Sequence, residues 1–481
     1  MLVSLTRVGG ARQRFDKAFA VLGVEPAAMA AAFAASEFRV GGMPAQVVPV
    51  AGTPGLFAVR VPLSWLGSRA ARDEVFAELA DVTRRLAEVA RRAGGVLVAP
   101  GIGTSGHPGV LGGDVHVVEV LSPVEQEVLC NLLRSRVPAL IALAGRGVTS
   151  VGQPLDRTGS RWLAASRSHL ATRFLASTAD EHLDRVKAEL RRRDGVAQLD
   201  RMDVSPGAEP DGTLTVVVRC LDATATLAGT RAHALLLAAL ATQARRMVRD
   251  GRRAGHEPQR LLEENRARAV ADGLRARLVV EDRKPARRDR AAPAEKRKRP
   301  ARDVVRGVVG DVAVELRNLG AAPEELAPVL LALDLPDLGV KHGAVEAELL
   351  AHWASGGDAH LLDRSLDALT DATPGGPLLA ALDQSFPGRV AVVLGTWRKR
   401  IAEAGTATQA PRKQEGRGGD RPKQDRRGGD RRGGDRRSGR PQGERDGRPQ
   451  GERDGRPQGE RDGRPQGERD GRPQGERRGG R

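Results

Sequence analysis

Three places in the 481-residue chain set reactive side chains at spacings that could do chemistry. The first is Asp114-Val-His116-Val-Val118-Glu119. Strand alternation sets Asp114 and His116 on one face. A carboxylate and an imidazole side by side either hold a divalent ion or position a phosphate, or form a plain polar pair on the surface. The second is Thr213-Leu-Thr-Val-Val-Val-Arg219-Cys-Leu-Asp222. One face of that strand carries Leu214, Val216, Val218 and Cys220, a core face; the other carries Thr215, Val217 and Arg219. A guanidinium in an apolar strand needs an anion, which is either a buried carboxylate or a bound phosphate or carboxylate ligand. The third is Gly101-Ile-Gly103-Thr-Ser-Gly106, which has the glycine spacing of a dinucleotide-binding turn. Such a turn must open a helix whose N-terminus receives the pyrophosphate. Here Pro108 and Gly109, Gly112 and Gly113 follow, so the spacing predicts a turn without a helix and without a nucleotide.

The elements that position these residues mix strand and helix patterns. Residues 70–93 form an amphipathic helix with Val75, Phe76, Leu79, Val82, Leu86 and Val89 on one face, stopped by Gly94-Gly95. Strand patterns cover 45–50, 56–62, 95–99, 114–121 and 213–221, and helix patterns cover 123–136, 181–193, 228–249 and 258–273. From 303 onward the pattern is helical throughout, over 323–335, 344–353, 359–369 and 390–403. Long gaps between strands favour an α+β sheet layered with helices over a regular βαβ alternation.

Composition bounds the rest. The longest apolar stretch, residues 232–244, is too short for a membrane span, which needs about 20 residues. The first residues lack a signal-peptide core. Cys130 and Cys220, 90 positions apart in apolar surroundings, read as buried thiols of a reducing compartment. The expectation is a cytoplasmic protein with no membrane partner. Net charge is +17, but 283–302 contributes +8 and 411–481 contributes +9, so the remainder is neutral. The segment 283–302 reads as a basic flexible loop inside a folded unit 1–404, whose part from 303 to 404 is helical. The tail, 405–481, carries five copies of GRPQGERD beginning at Gly439, Gly447, Gly455, Gly463 and Gly471, the last ending in Arg478 in place of Asp. Each full copy is neutral and has nothing apolar to bury, so the tail reads as disordered. It is either a solubilising polyampholyte or an RNA-contacting RGG-like segment, which would have to bind without a single aromatic ring for base stacking.

Several of these pieces, taken in order, resemble the carboxylate–amine ligases, specifically the type 2 glutamate–cysteine ligase family of the glutamine-synthetase superfamily. Gly103-Thr104 with His107-Pro108 is similar to that family's GTHP turn, and DVHVV at Asp114 to its HVHVG strand. Asn131-Leu-Leu-Arg134 with Pro138-Ala-Leu-Ile-Ala-Leu-Ala144 resembles its N-x-x-R…P-x-L-x-A-L helix. Thr158-Gly159 and Ser166-Arg167 resemble its T-G…S-x-R element. TLTVVVRCLD resembles T-x-E-x-R-x-x-D, and Glu264-Asn265-Arg266-Ala-Arg268-Ala with Gly273-Leu-Arg-Ala resembles E-N-R-W-R-A…G-L-D-A. The six elements span about residues 56 to 320.

The resemblance implies a curved, mainly antiparallel glutamine-synthetase-like sheet packed with helices. Its concave face would bind ATP, Mg²⁺ and an amino-acid substrate. It implies Arg219 and His116 as catalytic residues, Arg167, Asn131, Thr158 and Gly159 as substrate-binding residues, and Asp114 with His116 as relocated metal ligands. Arg219 and His116 are expected to face one cavity. The chain departs from the family where the metal should sit: Val217 stands at the strand glutamate, Arg60 at another acid, and Asp114 at the first histidine of HVHV. Three functions follow as expectations. One is a divergent ligase-like protein that binds a small acidic metabolite and has weak or lost ATP-dependent amide formation. The second is an active ligase with rewired metal ligands. The third is an RNA-associated or scaffold protein acting through its tail.

Overall fold

The computed structural model describes residues 11–40, 42–145, 149–150, 159–166, 169–282, 295–335, 345–385 and 387–405. The chain divides after Arg412, and every described residue belongs to the first unit, Met1–Arg412. The tail with its repeats lies outside the described residues.

The first third of the chain runs β1 (Arg12–Leu22), α1 (Pro26–Ala34), β2 (Phe38–Val40), β3 (Met43–Pro49), β4 (Leu56–Arg60), β5 (Ser64–Trp65) and α2 (Arg69–Arg92). It continues with β6 (Val96–Val98), β7 (Ile102–Gly103), β8 (Gly113–Glu119) and α3 (Pro123–Ala144). The middle holds β9 (Thr149–Ser150), α4 (Arg161–Ala165), α5 (Asp180–Asp194), β10 (Val204–Ala208), β11 (Leu214–Asp222), α6 (Leu227–Arg249) and α7 (Gln259–Asp272). Then come a hairpin, β12 (Arg277–Asp282) with β13 (Glu295–Pro300), and the helices α8 (Ala301–Asp311), α9 (Ala313–Asn318) and α10 (Ala327–Asp334). The last helices are α11 (Val345–Ala354), α12 (Asp358–Thr370), α13 (Gly376–Ser385) and α14 (Arg389–Glu403).

The architecture is α+β, built on a nine-stranded sheet in the order β10-β11-β8-β1-β4-β3-β2, with β5 and β6 also paired to β1. Every pair in it is antiparallel. The strands expected at Leu56, Gly95, Asp114 and Thr213 all lie in this sheet, as β4, β6, β8 and β11. At the GxGxxG segment, Thr104 N donates to His107 O at 2.8 Å and His107 N to Thr104 Oγ1 at 3.1 Å, closing a tight turn with no helix behind it.

One face of the sheet packs on helices. Phe15 of β1 stacks on Phe76 of α2 with centroids 5.4 Å apart, and His116 of β8 meets His233 of α6 edge-on at 6.5 Å. Helix α2 starts at Ser68, whose hydroxyl accepts from Ala71 N, and its whole apolar stripe is buried. The apolar stretch 232–244 forms most of α6 and lies in the core. Burying each of its leucines contributes about 1.5–3 kcal/mol. Among the described residues no helix is long and apolar enough to cross a membrane. Cys130 and Cys220 are free, fully buried thiols, and burial pushes both pKa values up.

Two expectations change. Glu295–Pro300, assigned to a flexible loop, is a strand paired along the whole of β12, from Arg277 opposite Pro300 to Asp282 opposite Glu295. Ladder hydrogen bonds require no apolar side chain, so a basic run can form a strand once a partner lies beside it. Ala301 then starts α8, which puts the end of the expected loop in a helix. Helix α3 also continues through Pro138 to Ala144, well past the expected end at 136. The apolar run behind that proline is buried, which outweighs one lost backbone bond.

Candidate functional site

The face of the sheet opposite Phe15 and His116 carries the charged groups. Residues directly paired across antiparallel strands share a face, so the registers define its rows. One row is Ser205, Val217, Val117 and Arg14 across β10, β11, β8 and β1. The next places Val115, Asp16, Arg60 and Gln46 across β8, β1, β4 and β3. Beyond Val217 the β11–β8 register shifts between Val218 and Leu221, and within this irregularity Arg219 reaches toward β10, its Nη1 donating to Ser205 Oγ at 2.8 Å. A third row includes Thr215 and Glu119, with Arg12 pairing to Glu119 at 2.6 Å.

Asp16 sits at the centre. Arg60 donates to its Oδ2 through Nη2 at 3.2 Å and Nε at 3.3 Å. Arg14 Nε stands 3.6 Å from its Oδ1, an ion pair too long for a hydrogen bond, while Arg14 Nη1 binds Glu209 at 2.7 Å. The Oδ1 atom is buried and has no hydrogen-bond partner among the described residues. Burial pulls the Arg219 guanidinium down from its ordinary value, opposed by the charges of Asp200 and Asp16. Arg219 remains a cation, as guanidinium groups do in proteins.

Around Arg219 the wall is polar. Its backbone N donates to Asp203 O at 2.8 Å, and the Asp203 carboxylate takes two bonds from Arg266, at 2.6 and 2.8 Å. His169 binds Ser166 Oγ through Nδ1 at 2.7 Å and lies edge-on to Trp162. Burial, then the charges of Arg266, Arg219 and Arg201, hold His169 near 4, so it is neutral. Trp162 covers Gly113, where a Cβ would stand 2.2 Å from the indole ring. Ser160 Oγ donates to Asp222 at the end of β11. This face therefore offers guanidinium donors, a hydroxyl and a neutral imidazole, a set suited to a small oxyanion.

The sequence expectation for Arg219 and His116 is corrected here: they lie on opposite faces. Arg219 follows Val218, and Val218 is the direct partner of His116 on the helix-packed side. Asp114 and His116 do share a face, but it is that one. Asp114 is fully buried beside Lys17, whose Nζ donates to Asp114 Oδ2 at 3.0 Å and to Thr224 O at 2.7 Å. Ala18 N and Thr224 N also donate to Asp114, at 2.9 and 3.2 Å. Its lone pairs are committed to this internal pair, which leaves no ligand position for a metal. His116 has both ring nitrogens buried without hydrogen-bond partners among the described residues, and burial lowers its pKa to about 3.

The remaining residues singled out in the sequence lie apart from this cluster or outside the described residues. Asn131 clamps the Leu175 backbone, donating from Nδ2 to Leu175 O at 2.7 Å and accepting from Leu175 N at 2.9 Å. Gly159 lets the chain pass close to α7, since a Cβ there would stand 2.1 Å from Val270 O. Arg167 and Thr158 lie outside the described residues. Sequence reasoning missed Arg14, Asp16 and His169. Charges at 12, 14 and 16, alternating with Gln13 and Phe15 ahead of the apolar run 18–22, are the signal that would have found β1.

A Mg²⁺ ion does not fit the described residues. No group of three or more His, Cys, Asp or Glu is placed to hold a metal ion, and the sheet-face carboxylates Asp16, Glu119 and Glu209 each face an arginine. A separate cavity of about 310 Å³ lies between α3, α7, β12 and α8, lined by Ser135, Leu261, Val279 and Val304 among others, away from these groups.

No protein-family model and no curated protein matches the chain. Among solved structures, the complex between the prokaryotic ubiquitin-like protein Pup and its ligase PafA is similar at 12% identity and a TM-score of 0.41, covering 80% of each chain. Glutamate–cysteine ligase from Francisella tularensis, in complex with AMP, is similar at 10% identity and a TM-score of 0.37, covering 83% of this chain and 94% of that one. A bifunctional glutathione synthetase from Pasteurella multocida is similar at 11% identity and a TM-score of 0.36, covering 82% of this chain and 53% of that one.

Proposed function

We propose that this protein is a carboxylate–amine ligase-like protein whose polar sheet face binds a small acidic metabolite, with weak or lost ATP-dependent amide formation. The carrying observation is the charge on that face. Arg14, Arg60 and Arg219 share it, Arg219 bound to a hydroxyl and not to a carboxylate, while the carboxylates beside them are paired with arginines. Acyl phosphate formation gathers several negative charges, and divalent ions supply most of the compensation. Hard oxygen ligands for such ions are what the described residues lack, and Val217, at the position the family-like motif gives to glutamate, offers none. ATP and Mg²⁺ would be the cofactors of an active ligase. Arg219, already oriented by Ser205, is the anchor for the acidic ligand.

Calorimetric titration of the full chain with L-glutamate tests this. Arg219→Ala should lower affinity about 10- to 100-fold, from loss of charge-assisted bonds worth about 1.5–3 kcal/mol. Unchanged affinity in that variant would remove Arg219, and the proposed site with it.

A further inference from the structure

We infer that Arg14, Arg60 and Arg219 form an anion subsite that takes a phosphate or carboxylate group without a divalent cation, and that Asp16 competes with that group for the same guanidiniums. This rests on reading the polar face as an anion site and adds how the charge is met there.

Two carboxylates buried in the sheet, Asp114 and Asp16, make the contrast. At Lys17–Asp114 every donor and acceptor is matched, the carboxylate receiving Lys17 Nζ, Ala18 N and Thr224 N. That pair is structural. At Asp16 the fit is loose: Oδ2 accepts two long bonds from Arg60, at 3.2 and 3.3 Å, and Oδ1 accepts none although Asp16 is only 8% exposed. Good guanidinium–carboxylate bonds are shorter, about 2.7–2.9 Å. Arg219 spends one donor on Ser205, and its Nε and Nη2 have no hydrogen-bond partner among the described residues. Two arginines, Arg14 and Arg60, thus flank one poorly bonded carboxylate, Arg219 on the same face interacts with it through charge, and Glu209 is engaged by Arg14. An oxyanion with tetrahedral or forked geometry can bond these guanidiniums better than Asp16 does. A divalent cation would enter against the positive charges of this face, where Asp16, Glu119 and Glu209 each already stand beside an arginine, so the arginines take the compensating role that magnesium plays elsewhere.

The test is calorimetric titration of the full chain with inorganic phosphate and, separately, with succinate. Each is run in excess magnesium chloride and in excess EDTA at equal ionic strength. The expected result is that at least one probe binds with the same affinity in both buffers, within about two-fold. Asp16→Asn, which keeps shape and removes the competing charge, should tighten that probe at least about five-fold, and Arg60→Ala should weaken it. Which probe responds tells phosphate from carboxylate. Binding that requires magnesium overturns the inference while leaving the anion site standing, and this arm needs only the unaltered chain. Affinity unchanged or weaker in a folded Asp16→Asn chain overturns the competition. No binding of either probe, to the unaltered chain or the variant, overturns both the inference and the reading it rests on.

Discussion

His116 shows how one side chain's burial becomes a property of the whole protein. Its pKa falls from an ordinary 6.5 to about 3, first through burial, with Asp114 pulling the other way and His233 and Lys17 adding to the fall. The unfolded chain therefore takes up this proton before the folded one does. The stability His116 allows is complete above pH 6.5 and is lost progressively as pH falls from 6.5 toward 3. At pH 5 the loss is about 2 kcal/mol, from 1.36 kcal/mol per pH unit. Urea unfolding at pH 7 and pH 5 checks this: His116→Leu should lose about 2 kcal/mol less than the unaltered chain between the two. An equal loss in both would mean His116 is not the group titrating. At this scale the sequence was partly legible. The alternation of Thr215 and Val217 against Val216 and Val218 matches the pairing of β11 with β8, but a register shift between Val218 and Leu221 breaks it, so that Leu221 and not Cys220 lies opposite Asp114. Alternation also put Asp114 with His116, but it cannot say which face meets helices. That depended on Lys17, whose burial in an ion pair is invisible until β1 is placed beside β8.

Among the elements, α2, α6 and the turn Pro323–Leu326 are joined by one buried carboxylate. Glu325 accepts from Arg72 Nε and Nη2, each at 2.8 Å, and from Arg231 Nε at 3.0 Å and Nη2 at 2.7 Å. All three side chains are essentially unexposed. Arg231 also reaches Asp73 of α2. Removing one member of such a group strands the others' charges out of water, at about 3–5 kcal/mol. Glu325→Gln should therefore cost about that much in denaturant unfolding, with no change in α-helix content at low denaturant; a loss below about 1 kcal/mol would show the clamp to be solvated. The helices carrying Arg72 and Arg231 were readable from their apolar stripes, because period and caps agree there. Strand β1 was not, since it is buried on both faces and its polar residues are consumed by pairs reaching over 40 positions along the chain. Strand β13 was not either, because its residues gain their conformation from β12 and those at 296–300 are exposed, with no buried face that a periodicity could reveal.

For the molecule as a whole, charge location decides more than total charge. The described sheet balances its ions closely, and the +17 excess resides in 283–302 and 411–481. The GRPQGERD repeats lie outside the described residues, so the expectation of a disordered tail, with or without weak RNA contact, stands on composition alone. The order of motifs along the chain pointed to an antiparallel sheet layered with helices, and that is the architecture found. What order could not show is that the carboxylates on the face carrying Arg219 are each held by an arginine, while Arg219 itself bonds a hydroxyl. The central claim is that this face binds an acidic ligand and is poorly equipped to turn over Mg·ATP. ADP release by the purified full-length chain, given Mg·ATP, glutamate and an amine acceptor such as cysteine, tests it most directly. The account predicts release at the background seen without glutamate and amine. Sustained release that requires both would contradict it and make the protein a working ligase.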